Sequence, residues 1–280
     1  MSRRKQIIPI ILVVAILVIF SIFLLRKAPK TVDSEEIGLT VAFLNVGKAD
    51  CIVLTVDDFV MLVDTGTADS YSVVSDYLAE RGVTEIDYVL LTHLDQDHIG
   101  GVPSLLNDYT VQNMIQPDYV KDNDTYEAYV EALAAHDITP VYLKQEGDIS
   151  LGDGNTIHLY PPEAEEYEQS NDYSIVSAVY YGDYSFLLMG DAEKERMQEI
   201  LDQNPGVFTV LKIPHHGDYK SILEQLISLT APQYCVVSTS ADNLEEKMTE
   251  CLDYFAVTAY YTFNGTVIMK TDGTTFSVIQ

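Results

Sequence analysis

The 280-residue sequence predicts an α/β domain of two β-sheets packed face to face with helices outside, preceded by one N-terminal membrane-spanning helix. Three observations predict this. Residues 7–25 carry no charged side chain. Further on, apolar β-rich runs come in two blocks, each with helical patterns after it. Several of those runs also end in a carboxylate or a histidine beside a glycine.

The first 30 residues form the expected anchor. Their 19-residue uncharged stretch follows Arg3, Arg4 and Lys5 and precedes Arg26, Lys27 and Lys30. At about 1.5 Å per residue it spans a bilayer's hydrocarbon core. A cleavable signal peptide would have a shorter apolar region ending in small residues, and "FLLRKAPK" offers no such site. Basic residues flank both ends equally. The α-amino group lies on one side, and Asp33, Glu35 and Glu36 follow on the other, which favours a cytoplasmic N terminus. The expectation is a single-pass protein of the cell membrane with its soluble body extracellular. Residues 31–37 read as a linker and residues 38–280 as one domain.

That body is acidic. Beyond residue 30 the chain has ten Lys+Arg against all 43 Asp+Glu, a net charge of −33. Such a surface repels nucleic acid and anionic lipid unless metal ions or a local basic patch intervene, so stable nucleic-acid binding is not expected. Cys51, Cys235 and Cys251 show no C-x-x-C spacing. They predict neither a disulfide framework nor a cysteine-based zinc site.

Within the body, "LTVAFLNV", "CIVLTV" and "FVMLVD" read as strands. "SYSVVSDYLAERG" reads as a helix, with Val73, Val74, Tyr77 and Leu78 at helical spacing and Gly82 closing it. The strand "DYVLLT" follows, then helices over "SLLND" and "TYEAYVEALAAHD", the second burying Tyr126, Tyr129, Val130 and Leu133. The second block runs "TIHLYPP", "SIVSAVYYG", "YSFLLMGD", helical "AEKERMQEILDQN", "VFTVLKIP", helical "SILEQLISL" and "YCVVS". "VTAYYT", "GTVIMKTDG" and "TTFSVIQ" close the chain.

The chemistry concentrates in "THLDQDHIGG". His93, Asp95, Asp97 and His98 leave the carboxyl end of a strand, where open α/β sheets place their sites. Imidazole and carboxylate together suit zinc, manganese or iron more than calcium. Asp64, Asp191 and the pair His215–His216 end other apolar runs. Asp is rare in strands and costly to bury unpaired. One such residue could be a turn or helix cap; together with the histidine cluster they predict a metal site. His136, late in a helix, and His158, inside a strand, are expected to be surface or packing residues.

In this order, "FLNVGKADCIVL", "VDTG", "THLDQDHIGG", "SNDYSIV", "LLMGD" and "KIPHHG" resemble the metallo-β-lactamase superfamily. More narrowly they resemble the hydrolase domain of the ComEC/Rec2 competence proteins and its stand-alone relatives. The resemblance covers most of residues 39–280. It implies a four-layered αββα sandwich (the metallo-β-lactamase fold) and two divalent metal ions, zinc or manganese. It implies His93, Asp95, Asp97, His98, Asp191 and His216 as ligands, with Asp191 bridging. Asp97 and His216 are the expected catalytic residues. Asp64, Asn171 and His215 are implied as further ligands or as supports behind them. Two departures stand out. The superfamily's usual third histidine has no clear counterpart between "THLDQDH" and Asp191, since His136 and His158 read as surface or packing residues and Asn171 falls in that region. Asp218 also follows the glycine of "HHGD", where the family commonly has serine.

The expected activity is metal-dependent hydrolysis by a metal-bridged hydroxide acting on a phosphodiester, either a small one or DNA. A carboxylic ester or lactone is the alternative substrate. A membrane-tethered binding module of the same fold with little or no turnover is the alternative class. The membrane, through the N-terminal helix, is the expected partner, and no protein partner is predicted.

Overall fold

The computed structural model describes residues 38–280. The expected anchor and linker lie outside the described residues. Among the described residues no helix is long and apolar enough to cross a membrane.

The body begins as an antiparallel meander of β1 (Leu39–Phe43), β2 (Ile52–Val56) and β3 (Phe59–Val63). Helix α1 (Tyr71–Glu80) leads to β4 (Glu85–Leu90), parallel to β3. Helices α2 (Gln96–Ile99) and α3 (Val102–Asp108) lead to β5 (Thr110–Gln116), and α4 (Asp124–Ala135) leads to the short β6 (Val141–Tyr142).

The second sheet starts with antiparallel β7 (Gly147–Gly152), β8 (Asn155–Tyr160), β9 (Val176–Tyr181) and β10 (Tyr184–Leu188). It continues in parallel through α5 (Lys194–Gln203), β11 (Val210–Lys212), α6 (Leu223–Thr230), β12 (Tyr234–Val237), α7 (Glu246–Tyr254) and β13 (Thr258–Tyr261). Finally β14 (Val267–Thr271) and β15 (Phe276–Ile279) return to the free edge of β1. The sheet orders are β15-β14-β1-β2-β3-β4-β5-β6 and β13-β12-β11-β10-β9-β8-β7.

The four layers follow from strand periodicity. Successive side chains of a strand point to opposite faces, so a strand buried on both faces reads as a continuous apolar run. In β3, Met61 and Val63 join the core between the sheets, while Val60 and Leu62 join the outer core under α1 to α4. In β10, Phe186 and Leu188 face the shared core, while Leu187 packs under α5 to α7. Three apolar layers thus separate four layers of backbone, as the resemblance implied.

Local differences from the sequence reading have simple causes. In α4, Tyr129 and Leu133 are buried and Tyr126 packs beside them, but Val130 is exposed. Adjacent positions lie about 100° apart on a helix, so Tyr129 and Val130 cannot share the centre of one face. Ahead of the helix expected over "SLLND", the separate short helix α2 starts at Gln96 and stops at Ile99, with Asp95 at its N-cap position. A Cβ at Gly101 would lie 2.3 Å from the Thr65 carbonyl oxygen, so only glycine lets α3 start against the turn after β3.

Candidate metal centre

Strands β3 and β4 run parallel, and so do β10, β11 and β12. Their carboxyl ends deliver Asp64, the His93–His98 loop, Asp191, the His215–His216 turn and Ser238 to one edge of the sandwich. There Asp97, His98, Asp191 and His216 bring ligand atoms within 4.8 Å of one another.

Three imidazoles meet at this point, and the protein fixes the tautomer of each. The Nδ1–H of His216 donates to the Ser238 carbonyl oxygen at 3.0 Å, which can only accept. Asp64 accepts from the Thr92 backbone N–H at 2.8 Å, the Thr92 hydroxyl at 2.7 Å and His98 Nδ1 at 2.8 Å. Because the Thr92 hydroxyl spends its proton on Asp64, its oxygen can only accept from His93 Nδ1, 3.2 Å away. Every Nδ1 is therefore committed to a proton, which leaves Nε2 as the nitrogen of each ring that can face a cation. The Nε2 atoms of His98 and His216 lie 3.2 and 2.9 Å from Asp191 Oδ2, and His216 Nε2 lies 3.1 Å from Asp97 Oδ2. His93 Nε2 is buried without a hydrogen-bond partner, as is Asp191 Oδ1.

Local backbone geometry aims these groups. Asp64 has φ 61°, and His215 and His216 have φ 47° and 52°. Such left-handed conformations are strained for side-chain-bearing residues and gather at functional sites. Gly190, at φ 55°, precedes Asp191, and a Cβ there would lie 2.9 Å from Thr92 Cβ and 3.0 Å from Ser174 Oγ. Ser174 Oγ in turn accepts the Asp191 N–H at 3.1 Å. The bare backbone at Gly190 lets the two sheets' edges approach closely enough for Asp191 to reach the histidines.

Behind the cluster sits a buried ion pair that the sequence did not disclose. The Lys212 ammonium is fully buried against the Asp50 carboxylate, donates to the Gly190 carbonyl at 2.9 Å and lies 3.7 Å from Asp191 Oδ1. Burial would push its pKa down, yet Asp50 and Asp191 hold it up. Asp50, Asp64, Asp97 and Asp191 outnumber this one fixed cation. Burial likewise works against a charge on His98 and His216, but Asp191 prevails and raises both, His216 to about 9. Burial and the neighbouring His98 instead keep the His93 imidazole neutral. Orphaned Nε2 and carboxylate oxygens, anchored tautomers and surplus negative charge together fit divalent cations.

The other sequence-predicted residues fall as follows. Asp95 lies beside the cluster and outside the four convergent residues. It pairs with Lys121, accepts from Ser170 Oγ at 3.0 Å and approaches His93 Nε2 only to 3.9 Å. Asn171 donates to His215 Nε2 at 3.2 Å and to Glu193 at 3.3 Å, a lateral network away from those four. Its neighbour Asp172 caps α5, accepting from the Glu193 and Arg196 N–H groups at 2.9 and 3.0 Å. Asp218 pairs with Lys48 at 3.2 Å, which balances the charge it adds near the site. His136 bonds Asn107 and His158 bonds Asp148, both away from the centre. All three cysteines are buried. Asp50, Thr92, Lys121 and Ser174 were missed as site residues. Asp50 stands in "GKADCIVL" and Ser174 in "SNDYSIV", but nothing local to either stretch shows that it faces a lysine or an aspartate on another strand.

The sequence profile described as the metallo-beta-lactamase superfamily matches residues 44–238. ComE operon protein 3 of Bacillus subtilis (strain 168) is 30% identical over 200 residues, covering 65% of this chain and 26% of its own length. Recombination protein 2 of Haemophilus influenzae is 26% identical over 236 residues, covering 81% of this chain and 27% of its own. The chain thus spans about a quarter of each curated relative. Among solved structures, the metallo-beta-lactamase fold protein YhfI from Bacillus subtilis superposes with a TM-score of 0.55 at 12% identity, over 80% of this chain and 96% of its own.

Proposed function

Because this chain belongs to the metallo-β-lactamase superfamily, we infer that it is a metal-dependent hydrolase acting on a phosphodiester. The observation that carries this reading is the set of three buried histidines with Nδ1 anchored, whose Nε2 atoms face the Asp191 carboxylate in His98 and His216 and stand without a hydrogen-bond partner in His93.

Asp97, His98, Asp191 and His216 would hold one divalent ion, and His93 with Asp95 and the second Asp191 oxygen would contribute to another. Ions held there would acidify a water and neutralise charge developing on the substrate's oxygen. Zinc and manganese both suit this mixture of nitrogen and oxygen donors. Asp97 is the member of the cluster with an exposed edge, its side chain 31% accessible. Burial alone would raise its carboxyl, but His216 and His98 hold it well below the usual carboxylate range. It therefore stays ionised and can orient a water. Asp64, His98 and Thr92 act behind it by fixing tautomers.

The phosphodiester assignment is supported by the name of one relative, Recombination protein 2, which points to a process on nucleic acid. The acidic body works against a long polyanion, so a short or single-stranded phosphodiester fits better than a duplex. Asp122, Glu165 and Glu166 rim the cavity beside the site. That rim favours the second reading, hydrolysis of an uncharged carboxylic ester or lactone. We also propose that residues 7–25 tether the chain to the cell membrane with the catalytic domain outside.

The test is hydrolysis of bis(p-nitrophenyl) phosphate, oligonucleotides and aryl esters by the purified full chain, with zinc or manganese, beside Asp191→Ala. Metal-dependent phosphodiester cleavage lost in the variant supports the reading. Ester cleavage alone would move it to the second. A metal-bearing chain inert on all three would turn it into a binding module.

A further inference from the structure

The two sides of the metal centre are not equally prepared. On one side, Asp97, His98, Asp191 and His216 bring their ligand atoms together, and Lys212 reaches this group only at Asp191 Oδ1, 3.7 Å away. On the other, His93 Nε2 and Asp191 Oδ1 are buried without a hydrogen-bond partner, and Asp95 is the carboxylate within reach of His93. Asp95 is already engaged: the Lys121 ammonium pairs with Oδ1, and Ser170 Oγ donates to Oδ2 at 3.0 Å. Lys121 Nζ also lies 3.3 Å from Ser170 Oγ, which closes a three-membered network.

We propose that Lys121 is a built-in competitor for the second metal position. With Lys121 on Asp95, the chain holds one ion tightly at the four convergent residues. A second ion is held well only when the ammonium leaves. This rests on the metal-centre reading above and adds a residue that sets its occupancy.

The physical argument is one of exchange. A carboxylate that accepts a charge-assisted hydrogen bond from an ammonium is already neutralised, so a cation arriving at Asp95 must displace Lys121 rather than fill a vacant charge. Two cations within contact distance of one carboxylate also repel each other. His93 alone cannot compensate, because one imidazole and a shared carboxylate oxygen are too few ligands for a tight divalent site. Lys121 has somewhere to go. It lines a cavity of about 500 Å³ together with Tyr119, Tyr167, Tyr173, Glu165 and Glu166. There its long stem can lie along the stacked rings of Tyr119 and Tyr173, 4.1 Å apart, with its ammonium towards the two glutamates. The missing third histidine has the same consequence from the other direction: no further ligand offsets the competition.

The experiment is a calorimetric titration of the metal-free full chain with manganese and with zinc, checked by elemental analysis. It compares the parent, Lys121→Met, Lys121→Arg and Asp95→Asn. The parent should show one tight step and a second at least about tenfold weaker, the size expected when one charge-assisted bond must be displaced. Lys121→Met should strengthen the second step by about tenfold and leave the first unchanged, and the unchanged first step reports an intact fold. Lys121→Arg should keep the second step weak, and Asp95→Asn should abolish it.

Two equally tight ions in the parent, or a second step unaltered in Lys121→Met, would overturn the proposal while leaving the metal centre standing. No bound ion in either the parent or Lys121→Met would overturn the metal centre itself and this proposal with it.

Discussion

Asp64 accepts a 2.8 Å hydrogen bond from His98 Nδ1, with both side chains wholly out of water. Asp64 is thereby not one of the four convergent residues; it stands behind one of them. It decides which nitrogen of His98 is free, and it also takes the Thr92 hydroxyl proton that would otherwise be available to His93.

Replacing that carboxylate should therefore damage metal binding more than folding. Asp64→Asn puts an amide with only one acceptor oxygen against three donors and breaks the tautomer logic of two histidines. Metal affinity should fall about 10–100-fold, the usual effect of losing such a support. Calorimetric titration measures it. An unchanged affinity would remove Asp64 from the machinery.

The buried Lys212–Asp50 pair makes a stability prediction. Lys212→Met leaves the Asp50 and Asp191 carboxylates buried beside each other without their cation, which should destabilise the metal-free chain by about 3–5 kcal/mol. Urea unfolding of metal-free protein tests this. Bound metal should recover part of the loss, because it supplies positive charge to Asp191.

Metal-free and metal-loaded chains should respond to pH in opposite senses. Burial opposes a charge on His216 and Asp191 overrides it, so the folded-state pKa is raised to about 9. The stability that this proton contributes is fully present below the unfolded histidine's pKa of about 6.5 and is lost as pH rises through about 9. Tm of the metal-free chain should decline over that window. Metal must replace the same proton, so apparent metal affinity should rise over the same window, and the loaded chain's Tm should hold or increase. Parallel curves would contradict this.

Gly190→Ala tests how close the sheet edges must come. The new methyl would meet Thr92 and Ser174, and alanine at φ 55° is itself strained. A loss of about 1–3 kcal/mol is expected, with weaker metal binding because Asp191 is the next residue. Gly154→Ala, where a Cβ meets nothing within 4 Å although φ is also positive, should share only the backbone part of the cost and leave metal binding intact.

Much of this protein was legible in its sequence because the signals are local. Runs such as "FVMLV" and "YSFLL" announce strands buried on both faces, and they became β3 and β10. Residues placed directly after such runs, Asp64, His93, Asp97, His98, Asp191 and His216, had to emerge where the strands end. Parallel strands bring those ends to one edge. Strand period and chain order are properties of the string itself.

What the string could not carry is which groups meet across long separations. Lys212 and Asp50 are 162 residues apart and pair because β11 and the loop before β2 face one another across the sandwich. Lys121 and Asp95 meet because the loop after β5 folds over the one after β4. Whether an aspartate is a ligand, the partner of an ammonium or the support of an imidazole depends on distances of a few ångströms set by packing. The sequence by itself determined the fold and the types of candidate ligand; only the tertiary structure decided how each carboxylate is occupied, because electrostatic partners are chosen by proximity in space and not by order along the chain.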